Sequence, residues 1–168
     1  NNDGVEKAKL NSSHYLRNWE DLIVERTKDD GLPEYCLDIG NGPKPIKITK
    51  IQRPTRWTPN QMSGFIRSLR GGNPIPSMTA FQENDDSPIE IMDGQQRLTV
   101  AFDRPGQWRG QLPEHSPEAI VTLLTPAEGV AIEEAREELV RIFRVLNTGG
   151  TNLKPLEVII ASYIQSAN

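Results

Sequence analysis

The chain has 168 residues, 36% of them hydrophobic and 25% charged, and its 19 basic and 23 acidic side chains give a net charge of -4. The length fits one domain, and the acidic balance argues against general electrostatic coating of DNA, although it allows a local basic groove. The single cysteine, Cys36, excludes an internal disulfide and a cysteine-based zinc cluster, and without a long apolar run or a signal peptide we expect a cytoplasmic protein.

The first 45 residues predict a helix and a linker. Ser12 and Ser13 can cap the helix, and Asp29–Pro45 holds turn formers with few periodic apolar residues, which predicts a linker or irregular strands. Cys36 falls in this linker. The apolar residues at helical spacing are Tyr15, Leu16, Trp19, Leu22 and Ile23.

A strand and a well-marked helix follow. Ile46, Ile48 and Ile51 alternate as in a strand, with one slip near Lys50 that predicts a bulge. Thr58-Pro59-Asn60-Gln61 supplies an N-cap, a proline at the first helical position and a capping-box glutamine. Gly71-Gly72 ends the helix. Its apolar face is predicted to be Met62, Phe65, Ile66 and Leu69.

The second half predicts short strands and two further helices. Thr125-Pro126-Ala127-Glu128 repeats the capping-box pattern and predicts the start of a long helix, on which Glu137 and Arg141 form an i,i+4 pair. The strands are predicted at Ser77–Gln82, Pro88–Met92 and Ile120–Leu124. The buried stripe of the long helix is predicted to be Ile132, Ala135, Leu139, Ile142, Phe143 and Leu146, and the last helix carries Leu156, Ile159, Ile160 and Tyr163. The pattern indicates a mixed α/β fold with short mixed strands and flanking helices.

The segment from Asp93 to Arg97 is the strongest candidate site. A strand that passes through a glycine turn into a helix exposes backbone N–H groups at the positive end of the helix dipole, and both favour a phosphate. Gly94 lets an anion approach the backbone, and Arg97 offers two parallel donors. Gln95 and Gln96 can orient a water molecule or contact a sugar or base. Asp93 is a candidate to hold Mg²⁺, to accept from a ribose hydroxyl, or to fix Arg97. An alternative remains: Asp93 and Gln96 form an ordinary capping box.

The sequence Asp93–Thr99 resembles the DGQQRLT signature of the N-terminal domain of GmrSD-type restriction systems. Three other segments resemble motifs of that family in the same order. They are Gln52-Arg53-Pro54 with Trp57, Gly72–Pro76, and Phe143–Thr151. The resemblance covers roughly residues 46–162. The chain departs from the family at Ile51, where an aromatic residue is usual.

The resemblance implies a ParB/sulfiredoxin-like fold that binds and hydrolyses a nucleotide. Mg²⁺ remains a candidate cofactor through Asp93 alone. It also implies service in bacterial anti-phage defence, often against modified DNA. We expect residues 1–45 to form the N-terminal helix and linker, and residues 46–168 to form the domain. Because the chain lacks an initiating methionine and ends within a predicted helix, we expect it to be part of a longer protein.

Residues outside the main loop have two interpretations each. Arg53 is either a second phosphate or DNA ligand or a surface arginine paired with a carboxylate, and Gln52 belongs to the same motif. Trp57 either stacks on a base or packs on the following helix. Asn147 either caps the long helix or places its amide against the nucleotide.

Several chemistries are excluded on motif grounds. His14 and His115 have no metal-ligand or catalytic spacing, so the histidine-dependent HNH cleavage of partner nuclease domains is not expected here. The candidate loop has no cysteine for sulfiredoxin chemistry, and the chain has no Walker lysine pattern.

Three functions remain in view. The first is a nucleotide-hydrolysing regulatory domain that works with a nuclease domain or subunit, with Asp93, Gln95, Gln96 and Arg97 as catalytic candidates. The second is a module that recognises DNA or a modified base. The third is a nucleotide-dependent partner-interaction domain. The DNA module would use a groove lined by Arg53, Arg56, Arg67, Arg70 and Arg97.

Overall fold

A computed structural model describes residues 7–48 and 57–146, and for residues 144–146 it describes the helical backbone. These residues form seven strands, four α-helices and one short 3₁₀ turn, so the predicted α/β class is confirmed. The strands are β1 Leu10–Arg17, β2 Ile23–Thr27, β3 Pro33–Asp38, β4 Pro43–Lys47, β5 Met78–Phe81, β6 Ile89–Asp93 and β7 Ala119–Pro126. The helices are α1 Trp19–Leu22, α2 Pro59–Arg70, α3 Gln95–Asp103 and α4 Ile132–Leu146, and the 3₁₀ turn is Pro105–Gln107.

The strands form one mixed sheet in the order β1-β7-β5-β6-β4-β3-β2. The β4–β6 and β5–β7 pairs are parallel and the other neighbours are antiparallel. Strands from before residue 45 therefore hydrogen-bond into the same sheet as those that follow.

Side-chain alternation along the strands divides the core between the two faces of the sheet. On one face, Ile89 and Ile91 of β6 belong to a large apolar cluster with buried residues of α1, α2 and α3. On the other face, Phe81 packs with Leu139 and Phe143 of α4 in a smaller cluster. The sheet is therefore a middle layer, with α1 to α3 on one side and α4 on the other. Among the described residues, no helix has the length and apolar character that crossing a bilayer requires.

The predicted N-terminal helix is wrong. Residues 10–17 form β1, which pairs along its whole length with β7, from Leu10 opposite Pro126 to Arg17 opposite Ala119. Pairing with a partner more than a hundred residues away overrides the local helical spacing. Leu16 is 57% exposed rather than buried on a helix face. The single turn α1 that follows buries Trp19 and Leu22.

The predicted linker is also more regular than expected. Cys36 is fully buried in β3, between β2 and β4, instead of lying in an irregular connection. The strand predicted around Ile46 is found as β4, which ends at Lys47, and both Lys50 and Ile51 lie outside the described residues.

Local signals predicted α2 correctly. The Thr58 side chain accepts the backbone N–H of Gln61, and the Gln61 side chain accepts the backbone N–H of Thr58, which is the reciprocal capping box. Phe65, Ile66 and Leu69 are buried as the pattern indicated.

The start of α4 was predicted too early. Thr125 and Pro126 continue β7 opposite β1, and the helix begins only at Ile132, after Gly129 turns with a φ of 79°. The capping-box interpretation of residues 125–128 is therefore wrong. Ala135 and Leu139 are buried as predicted. Arg141 is paired with Glu138 at 2.6 Å, one residue nearer than the predicted Glu137.

Candidate functional site

The candidate loop lies at the carboxyl end of β6, beside the parallel strand β4. Ile46 is opposite Ile89 and Lys47 is opposite Glu90. In chain order β4 leads towards α2, and β6 leads through Asp93 and Gly94 into α3. Ligands of open α/β sheets commonly bind outside the carboxyl ends of such strands. The topology therefore places the Asp93–Arg97 motif in a position that favours binding.

The start of α3 is not a capping box. Asp93 is the last residue of β6, and Gly94 is the N-cap residue with a φ of 98°. No side chain of the described residues caps this helix, whereas Thr58 caps α2. The local alternative proposed for Asp93 and Gln96 is therefore wrong. The first N–H groups of α3 are left for solvent or a ligand.

The two glutamines of the motif are tied to neighbouring backbone. Gln96 Oε1 accepts the backbone N–H of Trp57 at 3.2 Å, which joins the start of α3 to the chain just before α2. Gln95 Nε2 donates to the carbonyl of Ile91 at 2.8 Å. Within the described residues, the amide atoms left over for a ligand or water are Gln95 Oε1 and Gln96 Nε2.

Arg97 is largely buried beside the start of α3. Its side chain is 12% exposed; one guanidinium nitrogen donates to the carbonyl of Pro76, and another lies 3.9 Å from Asp93 Oδ2. Burial lowers the pKa of Arg97, and the Asp93 carboxylate opposes that shift. The guanidinium has five donors but only one hydrogen bond among the described residues, and its carboxylate neighbour is beyond hydrogen-bonding distance. Its charge is therefore incompletely compensated.

Gly94 is required by packing as well as by backbone conformation. A φ of 98° is rarely adopted by residues with a side chain. A Cβ at this position would lie 2.5 Å from Met78 Cγ and 3.3 Å from the Arg97 guanidinium. The space that the sequence assigned to an approaching anion is thus partly taken by Met78, which is 1% exposed.

Trp57 packs as the structural interpretation predicted. Its ring lies 5.9 Å from that of Phe65 and joins the apolar cluster on the α2–α3 side of the sheet. A ring held in this way supports the start of α2.

Four sequence-predicted residues lie outside the described part of the chain. They are Gln52, Arg53, Arg56 and Asn147. Of the arginines considered for a single DNA groove, Arg67 and Arg70 line a groove near the C-terminal end of α2, and Arg97 is not part of that lining.

A buried ionic network was missed by the sequence analysis. Arg136 of α4 contacts Glu90 of β6 at 2.9 Å and Glu83 at 2.5 Å, and Lys47 lies 3.9 Å from Glu90. The Arg136 and Glu90 side chains are only 4% and 5% exposed. Burial raises the pKa of Glu90, and the hydrogen bond from Arg136 opposes that shift. The sequence contained a signal that Arg136 is buried, because this residue lies four positions after Ile132 and therefore on the apolar stripe of α4.

Metal binding would rest on few ligands. The described residues contain no group of three or more histidine, cysteine, aspartate or glutamate side chains arranged to hold a metal. Asp93 is a single carboxylate, 62% exposed. Mg²⁺ usually keeps several waters and takes one or two carboxylates together with substrate phosphates, so a lone carboxylate fits that donor set if a phosphate binds beside it.

Comparison with known proteins agrees with the motif resemblance over part of the chain. Residues 36–103 match the family described as GmrSD restriction endonuclease, N-terminal domain. The match includes the Asp93–Thr99 motif and ends before Phe143–Thr151, so it covers less than half of the chain. A search of curated proteins found no match. Over residues 36–103, therefore, this chain matches the family of GmrSD restriction endonuclease N-terminal domains, and the resemblance recognised from its motifs is confirmed.

Proposed function

We propose that this chain binds a nucleoside triphosphate at the start of α3 and hydrolyses it, as the regulatory part of a DNA restriction system. The role in restriction follows from the family match, which also suggests DNA and a nuclease domain or subunit as partners. The nucleotide part rests on one observation: the uncapped start of α3 lies beside the incompletely compensated guanidinium of Arg97. A cytoplasmic location fits this role.

A phosphate would satisfy both features of this site. The first N–H groups of α3 are oriented as donors at the positive end of the helix dipole. Arg97 would exchange its long contact with Asp93 for a bidentate bond to phosphate oxygens, and its low exposure would strengthen that bond. Burial that lowers the pKa of a lone arginine favours an anionic ligand, because the ligand restores the missing compensation.

Asp93 and the two glutamines have separate roles in this proposal. The exposed Asp93 carboxylate would hold Mg²⁺, which when bound neutralises phosphate charge and orients the phosphates, or it would accept from a ribose hydroxyl. Gln95 or Gln96 would position the attacking water through the amide atom that the fold does not use. Gln52, Arg53 and Asn147 are proposed as further nucleotide ligands on the motif resemblance alone.

The test compares nucleotide binding and phosphate release in the wild type with two variants. Arg97→Lys keeps the positive charge but loses the planar guanidinium, so it tests bidentate binding. It disturbs the structure less than Arg97→Ala, which would also leave the Pro76 carbonyl unpaired. Loss of one charge-assisted hydrogen bond of about 1.5–3 kcal/mol weakens binding roughly 10- to 150-fold. Asp93→Asn is expected to abolish Mg²⁺-dependent phosphate release while leaving the fold intact.

Asp103→Asn is the matched control, because Asp103 is an exposed carboxylate at the other end of the same helix. It should leave both measurements unchanged. If Arg97→Lys binds every ribonucleoside and deoxyribonucleoside triphosphate as the wild type does, the proposed bidentate bond from Arg97 is wrong. If the wild type itself binds none of them, the proposed function is wrong.

A further inference from the structure

A second cationic feature lies near the C-terminal end of α2. There Arg67 and Arg70 line an open groove of about 530 Å³. Both arginines are exposed, and within residues 7–48 and 57–146 neither is paired with a carboxylate. The rest of the lining is neutral and includes Ser63, Gln107 and Gln111. The groove is thus positively charged although the chain as a whole carries a charge of -4.

A second cavity, of about 320 Å³, differs from the α2 groove in the charge of its lining and in the hydrogen bonds of its arginine. It is lined by Glu20 and Glu25 as well as Arg109. The Arg109 guanidinium donates to the carbonyls of Glu20 at 2.9 Å and Ile23 at 2.6 Å, so its donors serve the fold. The arginines of the α2 groove have no such fixed use among the described residues. A polyanion would therefore favour the α2 groove.

We infer that the α2 groove binds the phosphodiester backbone of a nucleic-acid strand. Arg67 and Arg70 are three positions apart on the helix, which places their Cβ atoms about 5–6 Å from each other on one side. Two long guanidinium side chains at that spacing can reach neighbouring phosphates, which follow each other about every 3.4 Å along the axis of one strand. The amide of Gln107 supplies a neutral donor typical of phosphate and sugar contacts. Gln111 Nε2 donates one of its two hydrogens to the carbonyl of Gly106 at 2.8 Å, which leaves the other for a ligand.

This binding site is separate from the proposed nucleotide site. The starts of α2 and α3 meet at the Gln96–Trp57 hydrogen bond, and Arg67 lies eight residues beyond Pro59, or about 12 Å along the helix. The inference therefore does not depend on nucleotide hydrolysis. An open shape also suits a polymer that passes through the groove better than a small ligand that must be enclosed.

The competing explanation is local to the helix. Arg67 and Arg70 lie in the last turn of α2, where positive side chains stabilise the negative end of the helix dipole. That role requires the charges to be near the helix end. It requires no groove and predicts no binding of nucleic acid.

The experiment measures anisotropy of labelled oligonucleotides of about 20 nucleotides, single-stranded and duplex, with the full chain at roughly 50–200 mM salt. It compares the wild type with R67Q/R70Q and with the control R26Q/R141Q. The control removes the same charge from two arginines that are paired with Glu34 and Glu138 elsewhere on the molecule. Loss of two phosphate contacts should lower the slope of log affinity against log salt by about 1.8 for duplex or about 1.4 for single strands. The oligonucleotide, single-stranded or duplex, whose salt slope falls in R67Q/R70Q identifies the form of nucleic acid that the groove binds.

Four results would overturn the inference. The first is a wild type that binds neither form of oligonucleotide. The second is an R67Q/R70Q variant that loses helix stability but keeps the wild-type salt slope. The third is a control variant that loses affinity equally, since net charge alone would then explain the effect. The fourth is an R67Q/R70Q variant that loses triphosphate binding in parallel with DNA binding, because the two sites would then not be separate. If the wild type and all variants fail to bind triphosphates, that result counts only against the proposed function.

Discussion

Removing Arg136 is expected to destabilise the fold more than removing any exposed arginine. In the wild type its guanidinium contacts the Glu90 carboxylate at 2.9 Å, and both side chains are almost completely buried. Arg136→Ala would leave Glu90 buried without its main partner. A buried ion pair broken in this way costs about 3–5 kcal/mol, since one charge loses both solvent and counter-charge.

The structure places the expected loss near the lower end of that range, at about 3 kcal/mol. Lys47 Nζ lies 3.9 Å from Glu90 Oε1 and would still compensate part of the carboxylate charge. The other partner, Glu83, is 40% exposed and can be solvated again when Arg136 is absent. The variant would also lose the contact of the guanidinium with the Phe81 ring, whose centroid lies 5.0 Å away.

Urea unfolding followed by tryptophan fluorescence measures this loss, because Trp19 and Trp108 are both buried. The matched control is Arg141→Ala on the same helix, where a 62% exposed arginine pairs with Glu138. An exposed pair of this kind contributes about 0.2–1 kcal/mol. A double variant, Glu90→Leu with Arg136→Met, should recover much of the loss, since apolar replacement of both charges leaves neither one unpaired.

Two results would refute this reasoning. One is a loss for Arg136→Ala no greater than that for Arg141→Ala, which would mean that Glu90 is adequately solvated or neutral without Arg136. The other is a double variant that is destabilised by the sum of its single changes, because independent contributions exclude a coupled pair.

Two further predictions follow from the packing. Gly94→Ala should cost about 1–2 kcal/mol for the left-handed backbone and about 1–3 kcal/mol for overlap with Met78. Adding Met78→Ala should relieve the overlap, so the loss of unfolding free energy in urea should be smaller than the sum of the two single losses. Strict additivity would show that the side chains at the two positions do not contact each other. Burial raises the pKa of the Cys36 thiol, so a thiol reagent should react far more slowly with the folded protein than in urea. Because the folded state keeps this proton to a higher pH than the unfolded chain, the free energy of unfolding should fall as pH rises above 9.0, the ordinary value for a thiol. Equal reaction rates in the folded and unfolded protein would contradict the burial of Cys36.

The candidate loop illustrates what a short motif can and cannot predict. The sequence placed a strand, a glycine turn and a helix in the correct order at Asp93–Arg97, since the determinants are neighbours in the chain. It did not predict that Pro76 would cover Arg97 or that Met78 would fill the space beside Gly94. Both come from residues brought in by the sheet, and periodicity carries no information about such partners.

By itself, the sequence determined the elements whose stabilising contacts are local. The capping box and apolar face of α2 lie within a dozen residues, and the motif resemblance was readable without any fold. Tertiary structure decided the rest. Residues 10–17 became a strand because β7 supplied their hydrogen-bonding partners, and α4 started late because β1 extended β7. Arg136 was buried because Glu90 of β6 and Glu83, both more than forty residues away in the chain, compensate its charge. In each case the deciding free energy comes from a partner distant in sequence, which only the folded chain brings into contact.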